Sequence, residues 1–125
     1  MPIPILKQGS FLIATIQSAM SDSDAQLLQD ELMQQVGRVR ATGIIVDVTA
    51  LNVMDSFAGR TLRTIAHMTR LRGADTVIVG IQPEVAFAMV QLGLTFEDIH
   101  TALDLEEGLA HLNRRTVSGG SADDH

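Results

Sequence analysis

Residues 44–49, with the sequence Ile-Ile-Val-Asp-Val-Thr, constrain the fold of this chain more than any other segment. Apolar or β-branched side chains occupy nearly every position instead of alternating with polar ones. This pattern is typical of a strand that is buried on both faces, as in a parallel sheet covered by helices. Residues 76–81 repeat the pattern. The two segments therefore predict an α/β protein with two central strands.

Two β-prone segments and a helix come before the first buried strand. Residues 3–7 and 11–17 flank the turn residues Gln8 and Gly9, which predicts an opening hairpin. Residues 21–24, Ser-Asp-Ser-Asp, offer side-chain oxygens for a helix N-cap, and after them apolar side chains recur every three or four positions, which predicts an amphipathic helix.

Three more helices and one short strand complete the predicted order. Capping residues, helix-stopping glycines and apolar periodicity place the helices at about 56–72, at about 83–92 and after Asp104, and the strand at 100–103. The order β-β-α-β-α-β-α-β-α predicts a mixed, mostly parallel sheet with helices packed on it and right-handed crossovers.

The size and composition of the chain fit one domain. Its 125 residues are 46% apolar and 19% charged, which is enough for one hydrophobic core. We expect the domain to cover residues 1–115, and residues 116–125, rich in Ser, Gly and Asp, to form a disordered tail. The chain contains no cysteine and no apolar run of signal-peptide or membrane-spanning length. We therefore expect a cytoplasmic protein that does not contact membranes.

Composition and motifs argue against several classes of function. The net charge of −6 has the wrong sign for nucleic-acid binding, and a chain with four Phe and no Trp or Tyr offers no stacking surface for bases. Gly-rich nucleotide-binding loops and nucleophile elbows are absent from the sequence. The four histidines lack the spacing of metal ligands or of a catalytic triad. We expect no catalytic residues, no cofactor and no metal, and hence no enzyme.

The junction between the first buried strand and the next helix is the candidate functional site. Asp47 lies near the end of that strand and Asp55-Ser56 starts the helix, where open α/β sheets place functional groups. The N–H groups and partial positive charge of a helix N-terminus stabilise a phosphate bound or carried there. In the alternative interpretation, Asp55 or Ser56 is only the helix cap, and Asp47 is a carboxylate satisfied by neighbouring elements.

A row of cationic side chains follows Ser56 along one side of the predicted helix. It comprises Arg60, Arg63, His67 and Arg70 at helical spacing, with apolar residues on the opposite side. Ser56 is therefore expected to face outward. Phosphorylation of Ser56 adds about −1.5 to −2 charges at pH 7 and reverses the local potential that an acidic partner meets. The alternative is an ordinary solvated helix whose arginine stems cover apolar surface.

The element order, the strand at residues 44–49 and the helix start Asp55-Ser56-Phe57 resemble the STAS domain family of anti-sigma factor antagonists. The resemblance covers residues 3–112. Two segments are more specific than the strand pattern. Residues 1–7 and residues 79–86 are similar to the single-domain scaffold proteins of the stressosome, which belong to this family.

The resemblance implies a non-enzymatic scaffold of stress signalling. Such proteins co-assemble with RsbR-type paralogues into a large shell and sequester an RsbT-type serine/threonine kinase. Phosphorylation of the serine at the start of the second helix releases the kinase, and an RsbX-type phosphatase resets that serine. The resemblance makes Ser56 the phosphorylation site. We expect the residues beside it on the helix, Asp55, Phe57, Arg60 and Arg63, to bind the partner.

Two other functions are compatible with the same fold. One is a simple antagonist that binds an anti-sigma kinase one to one and thereby releases a sigma factor. The other is a module that binds a small ligand or a lipid, which requires an apolar pocket.

Overall fold

Five strands form a single sheet, and four helices cover it. The computed structural model describes residues 3–93 and 99–122. The elements are β1 Ile5–Gln8, β2 Phe11–Thr15, α1 Asp22–Val39, β3 Gly43–Asp47, α2 Ser56–Leu71, β4 Asp75–Val79, α3 Pro83–Gln91, β5 His100–Ala102 and α4 Leu105–Ala122.

The strands lie in the sheet in the order β1-β2-β3-β4-β5. β1 pairs antiparallel with β2, and every later pair is parallel. The predicted mixed, mostly parallel sheet, its opening hairpin and the order of elements are therefore confirmed. β3 lies at the centre of the sheet, as its apolar sequence predicts.

Side chains alternate between the two faces along each central strand, as the period of two in a strand requires. On β3, Ile44 and Val46 belong to the larger hydrophobic cluster, which also contains buried residues of α1, α2 and α3. Ile45 belongs to the smaller cluster on the other face, which contains Leu112 of α4. The sheet is therefore covered by three helices on one face and by α4 on the other.

α4 lies very close to the sheet because residue 108 is a glycine. A Cβ atom at Gly108 would lie 2.7 Å from Cγ1 of Val79 on β4, closer than such atoms pack. α4 continues to Ala122, where the sequence predicts a disordered tail from residue 116. An established helix extends readily, since each added residue gains one backbone hydrogen bond. Residues 123–125 of the expected tail lie outside the described residues.

Among the capping candidates at residues 21–24, Ser21 is the N-cap of α1. Its Oγ accepts a hydrogen bond from the backbone N–H of Asp24, and the Asp24 carboxylate accepts one from the backbone N–H of Ser21, both at 3.1 Å. These two bonds form a capping box. Hydrogen bonds from Ser21 lower the pKa of Asp24. Over the part of the chain that the structure describes, none of the helices is long and apolar enough to cross a membrane.

Candidate functional site

The candidate site begins where β3 ends. The sequence predicts a strand through Thr49, but β3 stops at Asp47. The Asp47 carboxylate accepts hydrogen bonds from the backbone N–H and the hydroxyl of Thr49, at 2.9 and 2.6 Å, and these bonds turn the chain away from the sheet. The structure thus favours the structural interpretation of Asp47. Its carboxylate is half-buried and is satisfied locally.

The loop from β3 to α2 is fixed to the core by two apolar side chains. Leu51 and Met54 are buried in the larger hydrophobic cluster. The backbone N–H of Leu51 also donates to the carbonyl of Val48 at 2.9 Å, closing a turn. The start of α2 is therefore held in a defined position relative to the sheet.

Asp55 is the N-cap of α2. Its backbone is extended, and its Oδ1 accepts a hydrogen bond from the backbone N–H of Ala58 at 2.8 Å. Ser56 is then the first residue of the helix, with a half-buried side chain. The cap bond of α2 is therefore made by the Asp55 carboxylate and does not involve the Ser56 hydroxyl.

The cationic row lies on α2 as the sequence predicts. Arg60, His67 and Arg70 are exposed, and Arg63 is half-buried. The opposite side of the helix is buried in the core at Ala58, Leu62, Ile65 and Thr69. Phe57, in the first turn, is half-buried. The predicted site residues Asp55, Ser56, Phe57, Arg60 and Arg63 therefore lie along the first two turns of one helix.

The loop between β4 and α3 contacts the loop between β3 and α2, and no local sequence pattern predicts this contact. Nε2 of Gln82, the N-cap residue of α3, donates to the backbone carbonyl of Thr49 at 2.6 Å. Gly80 has a φ of +78°, and a Cβ atom there would overlap Thr49, lying 2.9 Å from its Cβ. Gly80 and Gln82 both lie within residues 79–86, one of the two segments that carry the resemblance to stressosome proteins. The resemblance of that segment is the one feature of the sequence that points to this loop.

The Ser56 hydroxyl thus lies at the N-terminus of α2, directly after the loop from β3, and this loop contacts the loop between β4 and α3. A phosphate at this position meets the N–H groups and partial positive charge of the helix start, and Arg60 lies one turn further on. Within residues 3–93 and 99–122, no group of three or more His, Asp or Glu side chains is placed to hold a metal ion.

The STAS domain family model matches residues 2–108 of the chain. The chain belongs to the STAS domain family. A solved serine-to-glutamate variant of RsbS from Moorella thermoacetica matches this STAS domain with a TM-score of 0.81 and 31% identity, over 91% of this chain and 97% of the other. A chain of the stressosome, a signal integration and transduction hub, matches with a TM-score of 0.74 and 31% identity, over 90% and 98%.

Curated sequences give the same relationship for this STAS domain. The RsbT co-antagonist protein RsbRC of Bacillus subtilis is 30% identical over 86 residues, which is 69% of this chain and 30% of that protein. The chain spans less than half the length of the RsbT co-antagonist proteins that it matches. The chain is a stressosome-type STAS protein that resembles RsbS and RsbR, which confirms the predicted fold class and family.

Proposed function

We propose that this chain is a scaffold subunit of a stressosome-type assembly that holds an RsbT-type serine/threonine kinase until Ser56 is phosphorylated. The observation that carries the proposal is the start of α2, where Asp55 makes the cap bond and Ser56 is the first helical residue. The likeness to RsbS and to a stressosome chain supports the scaffold role. We assign this role to residues 1–115 and leave residues 116–125 outside it.

The electrostatics of α2 give phosphorylation two opposite consequences. A phosphate on Ser56 stabilises α2, because it lies at the positive end of the helix and one turn from Arg60. The same phosphate cancels the positive potential of the surface formed by Asp55, Phe57, Arg60 and Arg63, to which we assign kinase binding. An acidic kinase surface is therefore attracted before phosphorylation and repelled after it.

The proposal includes further partners. RsbR-type paralogues co-assemble with this chain, which the matches to RsbT co-antagonist proteins of that type support. An RsbX-type phosphatase removes the phosphate from Ser56. The chain itself works in the cytoplasm through association and not through catalysis, in keeping with the antagonists and scaffolds of its family.

The test combines phosphate mapping with kinase binding. The purified chain is incubated with its RsbT-type kinase and ATP, and the modified residue is located by mass spectrometry. We expect phosphate on Ser56, none on the Ser56→Ala variant, and full modification of the Thr64→Ala variant. Thr64 is a matched control because it is an exposed hydroxyl residue on the same helix.

Binding of the kinase to two Ser56 variants tests the electrostatic part. Ser56→Ala should retain the kinase in the presence of ATP, whereas Ser56→Asp should bind it at least about tenfold more weakly, a loss of about 1.4 kcal/mol. Equal affinity of the two variants would contradict a switch based on charge. Phosphate absent from Ser56, with the kinase active on another substrate, would contradict the site itself.

Assembly size separates the scaffold from a simple anti-anti-sigma factor. Mixed with an RsbR-type paralogue, a stressosome scaffold elutes from a sizing column as a very large particle. A one-to-one antagonist remains a small complex under the same conditions, and that result would favour the second function.

A further inference from the structure

A polar cavity lies at the end of α2 opposite to Ser56. It has a volume of about 330 Å³ and is lined by residues of four elements and of the segment before β5: Arg70, Asp75, Thr76, Ile99, His100, His111 and Arg115. Arg70 lies 14 residues after Ser56 on α2, which places the cavity about 21 Å away from the candidate phosphorylation site. No part of the proposed kinase-binding surface contributes to it.

Among the charged side chains that line the cavity, cationic groups outnumber anionic ones. Arg70 and Arg115 outnumber the single carboxylate, that of Asp75. Nε of Arg115 donates to Oδ2 of Asp75 at 3.1 Å, a bond that orients the guanidinium group. This bond occupies one of the five N–H donors that a guanidinium group carries. A concentration of cationic groups is unusual in a chain with a net charge of −6.

Two imidazole rings complete the lining. His100 on β5 and His111 on α4 stack in parallel, with ring centroids 3.5 Å apart and an angle of 4° between the planes. At this separation, a proton on both rings produces strong repulsion. Burial lowers the pKa of His111, and the positive charges of His100, Arg115 and Arg114 lower it further, against the opposing effect of Asp75. At neutral pH, Arg70 and Arg115 against the single carboxylate of Asp75 leave the lining with an excess of positive charge.

We propose that this cavity binds a small molecule carrying a doubly charged oxyanion, sulfate or phosphate, between Arg70, Arg115 and the stacked histidines. Guanidinium groups match the oxygens of such anions in geometry as well as in charge. The volume is within the range of small-molecule sites. A bound dianion offsets the repulsion between His111 and its cationic neighbours on β5 and α4. Protonation of His111 and binding of the anion therefore favour each other.

This coupling fixes the direction of the pH dependence. The anion raises the pKa of His111 by supplying a negative charge next to the ring. By linkage, the affinity for the anion must rise as the pH falls through the pKa that His111 has in the complex, and this rise ends below the lower pKa that His111 has in the free protein. The affinity should be nearly constant at higher pH, where His111 is neutral with or without the anion.

The test is a titration of the isotope-labelled chain with sodium sulfate at constant ionic strength, followed by nuclear magnetic resonance. Sulfate is suitable because it stays doubly charged throughout the pH range used. We expect saturable shifts of the amide signals of Thr76, His100 and Arg115, and a dissociation constant at least about threefold lower near pH 5.5 than near pH 8. A parallel titration with glycerol phosphate distinguishes an organic phosphate from the free inorganic anion as the ligand. Tighter binding of glycerol phosphate than of sulfate indicates an organic phosphate, and equal binding indicates the free anion.

Variants at Arg115 and at His111, with a matched control for the first, complete the design. Arg115→Gln should weaken sulfate binding at least about fivefold, whereas Arg38→Gln, which removes an exposed arginine from α1, should leave it unchanged. His111→Phe keeps a ring against His100 and should reduce the pH dependence, and the double variant His100→Phe, His111→Phe should abolish it. Shifts that grow linearly without saturation, or saturable shifts confined to the first turn of α2, would overturn the proposal. An unchanged sulfate affinity of the Arg115→Gln variant would overturn it as well.

Discussion

At the scale of single residues, Asp55 and Ser56 have separate roles at the start of α2: Asp55 makes the cap bond, and Ser56 is the proposed phosphorylation site. The Asp55 carboxylate satisfies the N–H of Ala58, and the hydroxyl of Ser56 is not needed for that bond. A chemical change at Ser56 therefore leaves the cap intact. This division allows α2 to stay folded in both states of the proposed switch.

The cap role of Asp55 gives a prediction for stability. Asp55→Ala should lower the free energy of unfolding by about 1 kcal/mol, because it leaves the N–H of Ala58 without its acceptor. Asp55→Asn should retain most of the stability, since an asparagine oxygen accepts the same hydrogen bond. Urea unfolding followed by circular dichroism measures both variants. If Asp55→Ala were as stable as the wild-type chain, the cap bond would not contribute to folding.

At the scale of elements, local sequence patterns are enough to predict most of the fold. The β-branched run at residues 44–49 places β3, and the row of buried residues opposite the arginines places α2. Both patterns reflect which side chains of one element are buried in the core. Residues that are close in the sequence are therefore enough to predict that element. The candidate site was predictable for the same reason, because Asp55 and Ser56 follow a recognisable strand and begin a recognisable helix.

Contacts between elements that are distant in the sequence could not be predicted in this way. The overlap that a side chain at Gly80 would make with Thr49 depends on how two parallel strands align. The stacking of His100 on His111 depends on where α4 crosses β5. No local period or motif marks such pairs. For this reason the spacing of the two histidines in the sequence gives no sign of the cavity that they line.

The placement of α4 alone on one face of the sheet gives a prediction at the same scale. Leu112 is 2% exposed and packs in the smaller cluster with Phe11, Ile13 and Ile45. Leu112→Ala should lower the free energy of unfolding by about 2–5 kcal/mol, since it leaves a cavity between helix and sheet. Leu71→Ala is the control, because Leu71 is 88% exposed and its loss should change stability by about 0.5 kcal/mol or less. A similar decrease in the free energy of unfolding for the two variants would mean that the packing of α4 against the sheet does not contribute to stability.

At the scale of the whole molecule, the charge is unevenly distributed. The chain carries −6 overall, yet the outer side of α2 carries arginines along its length, and the cavity at its end adds Arg115 and two histidines. α2 thus presents a positive surface on an acidic protein. The two proposed sites, a serine that receives a phosphate and a cavity that receives an anion, lie at opposite ends of this surface.

This distribution predicts how kinase association depends on salt. The attraction of an acidic partner to α2 is screened over a Debye length of about 8–10 Å at moderate ionic strength, so the association rate should fall severalfold between about 50 and 200 mM salt. The double variant Arg60→Gln, Arg63→Gln should associate more slowly at low salt and respond less to added salt. Arg38→Gln changes the net charge at an exposed position on α1 and should keep the wild-type salt response. Stopped-flow measurements with the RsbT-type kinase give these rates. A double variant with the wild-type salt response would move the kinase-binding surface away from the start of α2. In that case a phosphate on Ser56 would have to act on the kinase through a change in the shape of the site instead of its charge.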